Sequence, residues 1–172
     1  MNSHPNRKRP DQPEHRLKPS SSSSIKPEWI HKAKASLAQS LFAESIMFSI
    51  SKQISSLPGI THLHRLQSIH EVNRETGTHR LTAKGCLERI SSGDWHESNL
   101  NHLVQSMYEA RRHDRIQRGQ LMELKRSVPV DARTAVENWI HWLDYSENTL
   151  QKAMVSTQEL IGKQYWNRFI PR

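Results

Sequence analysis

The stretch from Val128 to Leu143, VPVDARTAVENWIHWL, decides the fold prediction. Pro129 should end the preceding helix, because its ring removes a backbone donor and biases Val128 away from the helical region. Asp131 is then a candidate N-cap, since its carboxylate can accept the free amide hydrogens of the next turn. Beyond it, apolar residues recur at spacings of three and four: Ala132, Ala135, Val136, Trp139, Ile140 and Leu143. The stretch therefore predicts an amphipathic helix that places Trp139 and Trp142 in a core.

Helical periodicity continues on both sides of this stretch, and no segment alternates like a β-strand. Upstream, we predict helices over Pro27 to Ser55, Ile60 to Val72 and Leu81 to Ile90. A fourth helix is predicted to begin at Asp94, where Glu97 completes a capping-box pattern, and it either continues or restarts through 111–127. The breaks between them include Asn73 to Thr78, around Gly77. Downstream, a turn at 144–146, with Ser146 as a candidate N-cap, precedes a final helix. We predict an all-α bundle of about five to seven helices, with a division into two sub-bundles left open.

The N-terminal segment differs in composition from the rest of the chain. Residues 1–26 contain four prolines and a run of five serines, and six Lys and Arg residues against two acidic ones give a net charge of +4. Such a segment buries too little apolar surface to offset the entropy of ordering. We therefore predict a disordered basic tail over 1–26 and a helical bundle domain over 27–172.

Charge and cysteine content limit the classes of partner and compartment. The 172 residues carry a net charge of +8, which points to a polyanionic partner, nucleic acid before an anionic membrane. No apolar run reaches the length of a membrane span, so we expect no membrane partner. The single cysteine, Cys86, excludes an internal disulfide and suits a reducing, cytoplasmic environment. We expect Cys86 to be a small core residue.

The titratable residues give no pattern typical of catalysis. His62 and His64 lie two apart, with no partner at helical spacing, and other histidines are isolated in sequence: His102, His113 and His141. Acidic residues mostly lie three or four positions from a basic one, such as Asp114 with Arg118, as on exposed helix faces. No serine or cysteine has a preferred base. We therefore expect no enzyme, no metal site and no cofactor.

Basic residues form two clusters that suit phosphate contacts. The first surrounds Gly77 and contains Arg65, Arg74, Arg80, Lys84 and Arg89. The second follows one predicted helix and contains Arg111, Arg112, Arg115, Arg118, Lys125 and Arg126. Guanidinium groups bind phosphate in bidentate fashion, and each neutralised phosphate releases counterions. Since no base-reading motif is present, we expect sequence-independent binding, with a solvated charged face as the competing interpretation.

Several motifs in the second half of the chain resemble one known family. They are Val128-Pro129-Val130-Asp131, the helix with Trp139-Ile140-His141-Trp142, the terminal cluster Tyr165-Trp166-Asn167-Arg168-Phe169, the segment Gly77 to Leu87, and the Ser92-Gly93 break followed by Leu100 to Val104. Together, over roughly Leu63 to Phe169, they resemble the small subunit of the type I-E CRISPR Cascade surveillance complex. Members of that family are helical and are not enzymes.

The resemblance implies a role inside a ribonucleoprotein. Two copies of the small subunit stack beside the other subunits and contact the guide RNA–target DNA hybrid and the displaced strand through basic residues, while base pairing reads the sequence. The partners expected are therefore guide RNA, target DNA, other subunits and a second copy of the chain. The residues implied by position are Arg74, Arg80, Lys84, Arg111, Arg112 and Arg115. The alternative is an all-α adaptor or chaperone-like protein that docks an acidic protein partner.

Overall fold

A computed structural model describes residues 27–60 and 63–171. It contains five helices: α1 Pro27–Ser55, α2 Leu63–Ser91, α3 Glu97–Ser127, α4 Val130–Ile161 and α5 Lys163–Phe169. No β-strand occurs in these two ranges, so the all-α prediction is confirmed. None of the five helices is both long and apolar enough to cross a membrane. The predicted tail over 1–26 lies outside the described residues.

The first four helices form an antiparallel bundle in which each helix packs on the next, and α4 closes the square against α1. The antiparallel direction follows from side-chain hydrogen bonds: on α3, Gln117 bonds to Asn73 of α2, and the later residue Gln120 bonds to the earlier residue Ser68. The short α5 packs on α3 and α4. This is the up-down-up-down arrangement expected when four amphipathic helices are joined by short loops.

Two predicted breaks, at 73–78 and 144–146, are wrong, because α2 and α4 each run without interruption. For α3, where a continuous and a restarted helix were both open, the helix is continuous. In α2, polar residues whose presence suggested a turn instead form hydrogen bonds with the backbone of the same helix. The hydroxyls of Thr76 and Thr78 donate to carbonyl oxygens four residues earlier, at 2.7 and 3.0 Å. In α4, Ser146 is fully buried against α1 and caps nothing. Polar residues that look like turn signals in sequence are here internal contacts of long helices.

The predicted N-caps are displaced from those observed. Pro129 is the N-cap of α4, so Asp131 lies in the first turn of the helix, where its charge suits the helix dipole. The capping box of Asp94 and Glu97 does not form, because α3 begins at Glu97 and His96 is its N-cap. The predicted stop at Pro129 is confirmed by the end of α3 at Ser127.

The bundle interior contains two apolar clusters at different levels. The first, the Trp166 core, includes Leu37, Ala83, Cys86, Leu87, Leu103, Met107, Leu150 and Trp166. The second, the Trp139 core, includes Met47, Ile54, Leu66, Ile69, Leu121, Leu124, Val136, Trp139 and Leu143. Trp139 and Cys86 are fully buried, as predicted. Trp142, also predicted to lie in the core, is half-buried and packs against the Trp139 core from outside.

Buried polar residues lie between these two cores, and every helix of the bundle contributes to them. We call them the polar layer; its members are Ser40, Glu44, Asn73, Thr76, Arg80, Asp114, Gln117, Ser146 and Thr149. Along α1, for example, Leu37 belongs to one core and Met47 to the other, with Ser40 and Glu44 between them. The layer thus separates one continuous bundle into two apolar halves.

Candidate functional site

Arg80 is the centre of the polar layer and is completely buried. Its Nε donates to Oγ of Ser40 at 2.6 Å, its Nη1 donates to Glu44, and its Nη2 donates to Oδ2 of Asp114 at 2.6 Å. The guanidinium is thereby bonded to α1 and α3 from its place on α2. The prediction that Arg80 contacts nucleic acid is therefore wrong, because its side chain is inaccessible to solvent and its guanidinium is already bonded to Ser40, Glu44 and Asp114.

Burial dominates the electrostatics of the two carboxyl groups beside Arg80. Desolvation raises the pKa of Glu44 to about 7, against the opposing charge of Arg80, and raises that of Asp114 to about 6. One arginine cannot compensate two buried carboxylates fully, so the group holds a proton more readily than free carboxylates do. The expected pairing of Asp114 with Arg118 is also wrong, since Arg118 bonds to Asp144 on α4.

The hydroxyls of Ser40 and Ser146 extend the layer to α4. The two Oγ atoms lie 2.9 Å apart, and each hydroxyl also lies within bonding distance of the other residue's carbonyl oxygen, at 3.0 and 3.2 Å. Small side chains at this crossing let α1 and α4 approach closely. The layer therefore fixes the register of all four helices by directional bonds, which an apolar interface alone cannot do.

Three of the predicted basic residues meet at one surface groove. Arg111, Arg112 and Arg115 line it together with Tyr108, Glu109, Ile116 and Pro171. We call this the arginine groove. The Nε of Arg111 is buried and has no hydrogen-bond partner among the described residues. The groove combines positive charge with an aromatic ring, a pairing that suits a phosphate backbone and a stacked base.

The remaining predicted basic residues do not join this groove. Several form surface ion pairs: Lys84 with Glu88 at 3.8 Å, Lys125 with Glu137 at 2.8 Å, and Arg118 with Asp144. Within the groove itself, Arg112 pairs with Glu109 at 3.3 Å. Arg65, Arg74 and Arg126 are exposed. Such pairs are weak in water and leave the cations able to exchange partners. Of the two predicted clusters, only part of the second is brought together as a concave site.

A second group of titratable residues lies on the outer face of α2 and α3. Ligand atoms of His79, Glu109 and His113 lie within 4.8 Å of one another, and all three residues are half-buried. The two imidazole rings stack with centroids 5.2 Å apart. Burial, and secondarily the charge of His113, lowers the pKa of His79.

Sequence reasoning missed this group, because it treated His113 as isolated. The available signal was a repeated spacing: Glu75 precedes His79 by four residues, and Glu109 precedes His113 by four. Residues four apart share a helix face, so two such pairs on adjacent antiparallel helices can meet.

Comparisons of this chain with models of protein families, with curated proteins and with solved structures found no match.

Proposed function

We propose that this chain is a non-catalytic subunit that binds the nucleic-acid backbone without reading its sequence. The observation that carries the proposal is the arginine groove, where three guanidinium groups and Tyr108 line one concave surface. Arginine side chains make bidentate contacts to phosphate oxygens. The ring of Tyr108 is half-buried against Trp166, and its exposed part would stack on a base of any identity. The overall charge of +8 adds long-range attraction for a polyanion.

The biological setting proposed is a CRISPR effector complex of the Cascade type. Its support is the sequence resemblance to the small subunit of that complex. There the groove would contact the guide RNA–target hybrid or the displaced strand, while base pairing supplies specificity. A backbone-binding groove on a helical bundle suits this division of labour, because no base-reading element is needed.

The test is the salt dependence of binding to labelled single-stranded DNA, single-stranded RNA and an RNA–DNA hybrid, each in two unrelated sequences. Affinity should fall linearly with salt on logarithmic axes, and it should be the same for both sequences. Replacing Arg111, Arg112 and Arg115 together by alanine should weaken binding and reduce the slope by about 2–3, since each phosphate contact contributes about 0.7–0.9.

A charge-matched control separates the groove from net charge. Lys52, Arg133 and Lys152 are exposed residues of α1 and α4, and replacing all three by alanine removes the same charge elsewhere. The control variant should keep most of the affinity. Equal losses in both variants would mean that the charge acts diffusely, and an unchanged groove variant would exclude this groove as the binding site.

The alternative function, an adaptor for an acidic protein, differs in what copurifies. A tagged chain recovered from its native host should bring short RNAs of uniform length with a shared flanking repeat, together with several proteins. Protein partners without such RNA would contradict the CRISPR setting and favour the adaptor. An adaptor's interface should also resist salt, because its core is apolar.

A further inference from the structure

We propose that His79, Glu109 and His113, with Glu75 beside them, form a binding site for a divalent transition metal, with Zn²⁺ as the best fit. The site joins α2 to α3 on the outer face of the bundle. It borders the arginine groove, since Glu109 also lines that groove, but the proposal does not depend on nucleic-acid binding.

The orientation of His113 supports the site. Its Nδ1 lies 2.8 Å from the carbonyl oxygen of Glu109. A carbonyl oxygen only accepts, so Nδ1 carries a hydrogen, and in the neutral ring Nε2 then presents a lone pair. Metal-binding histidines are commonly held in this way by a backbone carbonyl.

The contact that Nε2 of His113 makes with Glu75 also favours a cation at this position. Nε2 of His113 lies 3.1 Å from Oε2 of Glu75. A lone pair facing a carboxylate oxygen is repulsive unless a proton or a metal ion lies between them. Ligand atoms about 2.0–2.1 Å from a tetrahedral Zn²⁺ are about 3.3 Å apart, so this spacing already suits two donors of one ion.

The donor set favours a borderline metal over a hard one. Two imidazole nitrogens and carboxylate oxygens match the ligands of Zn²⁺, whereas Mg²⁺ prefers oxygens and retains its waters. The ligand atoms of His79, Glu109 and His113 lie within 4.8 Å of one another, and side-chain rotation would bring them onto one ion. The i, i+4 spacing of each Glu–His pair presents both donors from one helix face.

The charged side chains around the site have a net negative charge, which favours binding of a cation. Glu75 and Glu109 supply two negative charges, and Arg112 supplies one positive charge through its contact with Glu109 at 3.3 Å. The guanidinium of Arg112 is on a side chain that is two-thirds exposed, so it can swing into solvent when Glu109 takes a metal. Arg112 is thus a competitor for Glu109 that a Zn²⁺ ion displaces.

The experiment is a titration of chelator-treated protein with Zn²⁺ in competition with a chelating indicator, with thermal unfolding followed in parallel. We expect one tight ion per chain and a rise in Tm, since the site exists only in the folded chain. Co²⁺ should give the visible absorption of tetrahedral coordination, and Mg²⁺ should leave Tm unchanged.

The variants must distinguish His79 and His113 from the other nine of the eleven histidines in the chain. Replacing His79 and His113 together by glutamine should weaken Zn²⁺ binding by about 100-fold or more, as even loss of a supporting residue costs about 10–100-fold. Glu109→Gln provides a second variant with minimal change in shape. The matched control replaces the exposed His102 and His141 by glutamine and should bind like the parent.

Circular dichroism of each variant establishes that the helices remain. Tight binding that survives in the His79 and His113 double variant, or a parent chain that binds no more tightly than that variant, would overturn the proposal. Neither result touches the nucleic-acid measurements, because no nucleic acid is present in the assay.

Discussion

Oε2 of Glu44 occupies the space next to Gly77: a Cβ built on residue 77 would lie 2.9 Å from this oxygen. Glycine at this position lets α1 and α2 bring Glu44 to the guanidinium of Arg80. Glycine is therefore required at residue 77 because the carboxyl group of Glu44 lies so close, and not because the helix breaks there. Its backbone needs no left-handed conformation, since only Gly59, Gly93 and Gly162 have positive φ among the described residues.

Replacing Gly77 by alanine should destabilise the chain relative to the same substitution at Gly85 or Gly119. All three are helical, and a Cβ at Gly85 or Gly119 would contact nothing within 4 Å. Those two variants should gain about 0.5–1 kcal/mol from helix propensity. Gly77→Ala must shift the buried Glu44 carboxyl group, whose other oxygen accepts from Arg80, and should fall below them by about 1–2 kcal/mol in urea unfolding. In a Glu44→Ala background, Gly77→Ala should instead stabilise; persistent destabilisation there would refute the close-contact explanation.

Removing the arginine of the polar layer should be severe, because two buried carboxyl groups would lose their cation. We expect Arg80→Ala to reduce the free energy of unfolding by about 3–5 kcal/mol, whereas the exposed Arg74→Ala should change it by less than about 0.5 kcal/mol. Replacing Arg80, Glu44 and Asp114 together by apolar residues of similar size should recover most of that loss. A triple variant as unstable as Arg80→Ala would show that packing, and not uncompensated charge, causes the defect.

The raised pKa of Glu44 predicts that its contribution to stability falls as the pH rises. The group has an ordinary pKa of 4.5 and a folded-state value of about 7, so the folded chain keeps a proton that the unfolded chain releases. The stabilisation is complete below about pH 4.5 and is lost by about pH 7.5, a change of about 3 kcal/mol. Equilibrium unfolding at several pH values should show it.

Glu44→Gln isolates this effect from the histidines and other carboxyl groups. The amide keeps the size of the side chain and does not titrate, so the stability of the parent relative to the variant should decrease from pH 4.5 to 7.5. A difference that stays constant across this range would mean that Glu44 ionises normally in the folded chain.

The apolar pattern predicted the helices well but not their lengths. Periodicity at three and four residues identifies each amphipathic face, and it placed Trp139 and Cys86 in the core correctly. It also predicted breaks at 73–78 and 144–146 that do not occur, because Gly77 and Ser146 are close-approach and polar-layer residues within long helices. Their roles depend on Glu44 and Ser40, which are distant in sequence. Local turn chemistry cannot reveal a partner on another helix.

The candidate sites were predictable to different degrees for the same reason. Arg111, Arg112 and Arg115 lie on one helix, so their meeting at a groove follows from local spacing. Nothing in the sequence distinguishes Arg80 from an exposed arginine, and only the packing of three helices around it shows that it is buried. His79 and His113 required the register of α2 against α3, which the sequence does not state.

Trp139→Ala should be the most damaging single change in the Trp139 core. The side chain is fully buried, and truncating a buried tryptophan costs about 3–5 kcal/mol through lost transfer energy and the cavity left behind. Trp139→Phe should cost less, because it fills much of that space and removes an indole Nε1 that has no partner among the described residues. The half-buried Trp142 provides the control, and Trp142→Ala should cost less than Trp139→Ala. Chemical unfolding followed by circular dichroism measures all three; equal costs at the two positions would contradict the assignment of Trp139 as the centre of this core.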